Sequence, residues 1–151
     1  MGSATRQYSR EEIIEKYQRH IDNYENIIVE LETFENSVYV KEKNIKIYLN
    51  EHERFCKDAV DVLKCAINKI NNRTVDQLIC VRLRRLFESC KVEHKKLEDT
   101  YSRVTYEQTG DFYTYEDIYK KLRTEYDEME YCDETIEFVK AMIISGTSYV
   151  N

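Results

Sequence analysis

The chain has 151 residues, 42% hydrophobic and 34% charged, with a formal net charge of −6. That length suits one domain with a real core, and the balance is too apolar for a disordered chain and too polar for a membrane protein. No run approaches the roughly 20 apolar residues needed to span a bilayer.

The amino terminus, MGSATRQYSREE, opens straight into charge and lacks the apolar centre of a secretory signal. Five cysteines (56, 65, 80, 90 and 132) form no CxxC pair. An odd count without a signal favours reduced thiols and a cytoplasmic setting. Proline is absent and glycine occurs at 2, 110 and 146. Domains rich in strands and turns need both residues, whereas helix interiors exclude both. The expected class is therefore all-α, in one domain over residues 1–151, with residues 1–8 expected to be disordered.

In chain order, Ser9 and Glu12 form a capping box that opens a first helix, expected over about 10–35. Its apolar seam runs Ile14, Tyr17, Ile21, Tyr24, Ile28 and Leu31, spaced alternately three and four. His20 falls beside this seam and is expected to be partly exposed. Asn36-Ser37 is the expected turn. A second helix, about 38–70, carries Ile45, Leu49, His52, Cys56, Ala59, Leu63, Ala66 and Ile70 on one face. Thr74 with Gln77 reads as another capping box, opening a third helix over about 75–108. Its seam is Ile79, Leu83, Leu86, Cys90, His94, Leu97, Tyr101 and Val104, with Gly110 as its left-handed stop. Thr114, followed by Glu116 and Asp117, opens a fourth over about 115–145. That helix places Ile118, Leu122, Tyr126, Met129, Cys132, Ile136, Val139 and Ile143 inward and ends at Gly146. Short connections between long helices force antiparallel neighbours, so the expected architecture is an up-down-up-down four-helix bundle. Two hairpins joined as a homodimer are the alternative.

A turn at Asn72-Arg73 sets the register of the central hairpin, because facing residues then have numbers summing to about 146. Cys56 meets Cys90 and His52 meets His94, each Cys and His being four residues apart on one helical face. Two thiols and two imidazoles in adjacent layers are the donor set of a tetrahedral zinc site. The competing reading is two small buried cysteines and two histidines bonded to polar neighbours. The Glu-x-x-His pairs of ferritin-like di-iron bundles are missing, since Tyr17, Leu49 and Lys91 precede the three histidines by three.

Residues 41–104 carry 15 basic and 10 acidic groups, leaving 8 and 19 of the chain's 23 and 29 for the rest. Arg82, Arg85 and Lys96 lie off the third seam and form a candidate nucleic-acid patch. A solvated face paired with acidic helices is the favoured reading. Of 13 tyrosines, Tyr106, Tyr113, Tyr115 and Tyr119 gather around the third turn. Tyrosine supplies rigid area with a polar tip at interfaces, so these four are the candidate partner-binding surface.

The functional expectation is a non-enzymatic helical interaction module, an adaptor, scaffold or inhibitor. It would bind another protein or a second copy of itself, with no cofactor and no membrane. A zinc-binding bundle and a nucleic-acid-associated protein are the alternatives.

Overall fold

The computed structural model describes residues 7–36, 43–107 and 112–150, together with most of their side chains. Four helical segments pack as an all-α bundle: α1 (Arg10–Glu35), α2 (Lys43–Asn71), α3 (Gln77–Glu107) and a fourth that is not continuous. Its first part, α4 (Phe112–Glu130), passes through a 3-10 turn at Tyr131–Thr135 into α5 (Ile136–Val150). Ion pairs and hydrogen bonds link α1 to α2 and α4, α2 to α3, and α3 to α4.

Helix α1 begins where the capping box places it. The Glu12 amide donates to Ser9 Oγ at 3.1 Å and the Ser9 amide to Glu12 Oε1 at 2.9 Å. Two residues upstream, the Tyr8 hydroxyl donates to Glu134 at 2.7 Å and its ring meets Phe138 edge-on, while residues 1–6 lie outside the described residues. The seam of α1 is turned slightly from the expected one. Ile13 and Ile27 are buried where Ile14 and Ile28 are only half-buried, and Phe34 extends the seam to the helix end. The reason is that α1 packs against α2 on one side and α4 on the other, which widens its apolar stripe beyond a two-position seam.

The α2–α3 turn also departs from expectation. Arg73 takes the left-handed conformation, with φ of 58°. The Thr74 amide donates to Lys69 O at 2.9 Å and the Arg73 amide to Ile70 O at 3.3 Å, the two bonds of a Schellman ending. Thr74 is thus occupied in closing α2, and Asp76 caps α3 instead by accepting from the Ile79 amide at 3.0 Å. That bond, more than the neighbouring Lys69 ammonium, holds the Asp76 carboxyl below the ordinary range.

The central register is the expected one. Cys65 with Arg82, Glu51 with Lys96, His52 with Glu93, and Lys69 with Asp76 all meet across the hairpin, at numbers summing to 145 or 147.

In the fourth segment the helix starts at Phe112, two residues before Thr114, and α5 runs through Gly146 rather than ending there. The 3-10 interruption, which apolar spacing does not announce, has local causes. Thr135 donates its hydroxyl to Cys132 O at 2.7 Å and accepts from the buried Tyr17 hydroxyl at 2.5 Å. Both bonds favour the tighter winding of a three-residue turn. The side chains of Ile45, Val104, Tyr106 and Tyr113, and all of Ser37 and Gly110, lie outside the described residues. Among the described residues no helix is long and apolar enough to cross a membrane.

Candidate functional site

The bundle core is not purely apolar. Of its charged or imidazole side chains, His20, His52, Glu93 and Glu125 sit on four different helices, facing inward. On the α1 flank of α4, His20 is 0% exposed and its Nδ1 lies 2.7 Å from Glu125 Oε2. Asn23, one turn further along α1, donates its amide to the other Glu125 oxygen. On the far side of the ring, His20 Nε2 is 3.7 Å from the Cys132 thiol. Glu128, half-buried one turn along α4, completes a set in which one atom each of His20, Glu125 and Glu128 lie within 4.8 Å of one another.

The α3 flank of α4 repeats the residue types with different burial. His94 Nδ1 is 2.9 Å from Glu130 and 3.6 Å from Asp127, and its Nε2 is 3.8 Å from Glu98. Here the Asp127 side chain is 54% exposed. Both flanks use two acidic residues three apart on α4, Glu125 and Glu128 facing α1, Asp127 and Glu130 facing α3.

Between the flanks stands Tyr126, fully buried and central to the fate of the expected zinc set. Its hydroxyl is 3.1 Å from His52 Nδ1, and its ring lies 6.0 Å from that of His52 and 6.2 Å from that of His94. The Cys90 thiol donates to the Tyr126 carbonyl at 3.5 Å. His52, Cys56, Cys90 and His94 therefore share one neighbourhood, as the register requires, but a tyrosine from a third helix fills it. No three of their four donor atoms lie within 4.8 Å of one another. A two-helix register cannot foresee this, since the intruding side chain arrives from elsewhere in the chain.

Burial dictates the chemistry of these groups. It lowers the His52 pKa to about 4, with the Lys96 ammonium adding to the effect, so His52 is neutral at pH 7. It raises the Cys132 thiol to about 12 and the Cys56 and Cys90 thiols well above their ordinary range. A Cys–His–Glu order runs through Cys132, His20 and Glu125, the connectivity of an activated nucleophile. Yet the thiol is buried and held protonated, the opposite of what nucleophilic attack needs. His20 itself corrects the expectation of partial exposure, because the carboxylate and thiol that receive it, Glu125 and Cys132, come from the fourth helical segment.

Of the expected tyrosine surface, Tyr115 and Tyr119 are placed otherwise, while the Tyr106 and Tyr113 side chains lie outside the described residues. Tyr115 and Tyr119 are 1% and 7% exposed. Tyr101 stacks on Tyr119 with ring centroids 4.0 Å apart, Tyr115 packs on Phe34, and the Tyr119 hydroxyl donates to Glu98 at 2.8 Å. These rings fasten α3 to α4 and α1, using their apolar bodies for the core and their hydroxyls for the rim. Tyr131, 70% exposed in the 3-10 turn, is the tyrosine most open to solvent among the described residues.

The basic residues do not make one patch. Lys96 lies between Glu51 and Glu93, at 3.7 and 3.4 Å. Arg82 and Arg85 instead border a groove of about 350 Å³ between α2 and α3. Phe55, Val62 and Leu86 line it, with Asp58 and Asp61 opposite the arginines. A scan of family models and searches of curated proteins and of solved structures found no match to this chain.

Proposed function

We propose that this protein is a helical protein–protein interaction module, an adaptor, scaffold or inhibitor that acts through its surface. The α2–α3 groove is the observation that carries this reading. It combines apolar side chains with a rim divided by charge, Asp58 and Asp61 from α2 and Arg82 and Arg85 from α3. Arg85, Asp58 and Asp61 make no ion pair among the described residues, so their charges are free to meet a partner. An apolar floor with a charged rim suits a partner helix that carries both signs of charge. The sealed state of Cys56, Cys90, Cys132 and His52 supports the same reading, since the groups best able to do chemistry point away from solvent. The absence of disulfides among five free thiols fits a reducing, cytoplasmic setting.

Crosslinking in cell extract followed by mass determination tests the proposal, with wild type compared against a charge-reversed Asp58→Arg, Arg85→Glu double variant. The module reading expects a discrete partner captured by wild type and lost from the variant. Light scattering on the purified chain separates a second copy from a different protein. An identical capture profile for both chains, with a monomer in scattering, would remove the groove from consideration.

A further inference from the structure

Glu125 is a buried carboxylate whose nearest charge partner is a buried imidazole, and Glu128 brings a second carboxylate to the same place. Among the described residues, no lysine or arginine nitrogen reaches ion-pair distance of either. Two carboxylates drawn this close repel, and one of them has lost most of its water; a single imidazole is a weak counterweight. Lys120 and Lys121 line the adjacent groove, but Lys121 is engaged by Glu30 and Asp117, and Lys120 by Glu116. Lys16 and Arg19 on α1 act on Cys132 from a distance, but no lysine or arginine among the described residues pairs directly with Glu125 or Glu128.

We propose that His20, Glu125 and Glu128 bind one divalent cation of the zinc type. One imidazole nitrogen and two carboxylate oxygens form a mixed donor set that suits zinc or cobalt better than calcium or magnesium, which prefer oxygen alone. Ligand atoms at about 2.1 Å from a tetrahedral ion stand roughly 3.4 Å apart. The 2.7 Å contact between His20 Nδ1 and Glu125 has to open by only a fraction of an ångström to admit one. Neighbours already orient the ligands. Asn23 donates to the second Glu125 oxygen, and with Nδ1 on the metal, His20 Nε2–H points at the Cys132 sulfur. A groove of about 400 Å³, lined by Asn23 and Glu125 among others, runs beside the site on the Glu125 side. Three protein donors leave a fourth position for water.

The site differs from the Cys/His set on α2 and α3 in every residue. It also differs from the His94, Asp127 and Glu130 group, whose Asp127 side chain is 54% exposed and can remain solvated without an ion.

The test uses tag-free, metal-free protein titrated with Co²⁺ and followed by visible absorption, with Zn²⁺ displacement and the melting temperature measured alongside. One equivalent should bind with a d–d spectrum, Zn²⁺ should displace it, and either metal should raise the melting temperature. Glu128→Gln, which keeps the side chain's size while removing its charge, should weaken binding by more than about tenfold. Asp127→Asn should bind as wild type does. The proposal is overturned by no saturable binding up to about 1 mM metal, by binding that survives Glu128→Gln, or by binding lost in Asp127→Asn.

Discussion

The two flanks of α4 are built from the same parts and do different things. Toward α1, His20 and Glu125 meet at 2.7 Å with side chains 0% and 5% exposed. Toward α3, His94 and Glu130 meet at 2.9 Å with side chains 20% and 29% exposed. The distances hardly differ, so the contrast lies in the medium. Water around His94 screens its three acidic neighbours and lets each be spared at little cost. Around His20 no such screening exists, and each polar group depends on a particular partner. Burial turns a surface cluster of charges into an organised network.

Thiol reactivity gives the largest expected contrast. Cys132 lies against His20 on the sealed flank, whereas Cys65 is half-exposed on α2 beside Arg82. A thiol reagent under native conditions should label Cys65 at least about 1,000-fold faster than Cys132, which must await an opening of the bundle. Comparable rates, read by mass spectrometry of labelled peptides, would show that the flank is not sealed.

Next in size is the energetic asymmetry of the pairs. Glu125→Ala leaves His20 buried without its carboxylate and should cost about 3–5 kcal/mol in urea unfolding. Glu130→Ala on the open flank should cost less than about 1 kcal/mol. Equal losses would dissolve the comparison.

The response to acid extends the contrast to the middle of the bundle. The folded-state pKa of His52 is lowered from 6.5 to about 4 by burial, so the unfolded chain binds this proton first as pH falls. Stability from keeping His52 neutral is complete above pH 6.5 and is lost as pH falls toward about 4. The loss is on the order of 3 kcal/mol. His52→Gln should flatten that part of the stability profile. A profile unchanged by the substitution would place the acid sensitivity elsewhere.

The smallest effect lies far from both flanks. Arg73 holds a left-handed backbone that glycine adopts without steric cost, so Arg73→Gly should stabilise the protein by about 1 kcal/mol. Unfolding midpoints that fall instead would show that the arginine side chain contributes something the turn geometry does not reveal.

Much of this molecule is legible in its sequence. The lack of proline, the three-and-four spacing and the Ser9 capping box give an all-α bundle, and the turn at Asn72-Arg73 gives the α2–α3 register to within a residue. These are properties of local chemistry and of one short connection, so neighbours in sequence suffice to state them. The tyrosines near the third turn look like a surface because spacing cannot tell a ring facing solvent from one stacked on Phe34. The Cys/His quartet looks like a metal centre because two helices are all that a register describes, and Tyr126 enters from a third. His20 looks unremarkable beside its seam, yet it is paired with Glu125, 105 residues away. Sequence determined which helices form and how the middle two align; tertiary structure decided which polar side chains share a dry space. That decision depends on long-range contacts and on the exclusion of water, neither of which a local pattern contains.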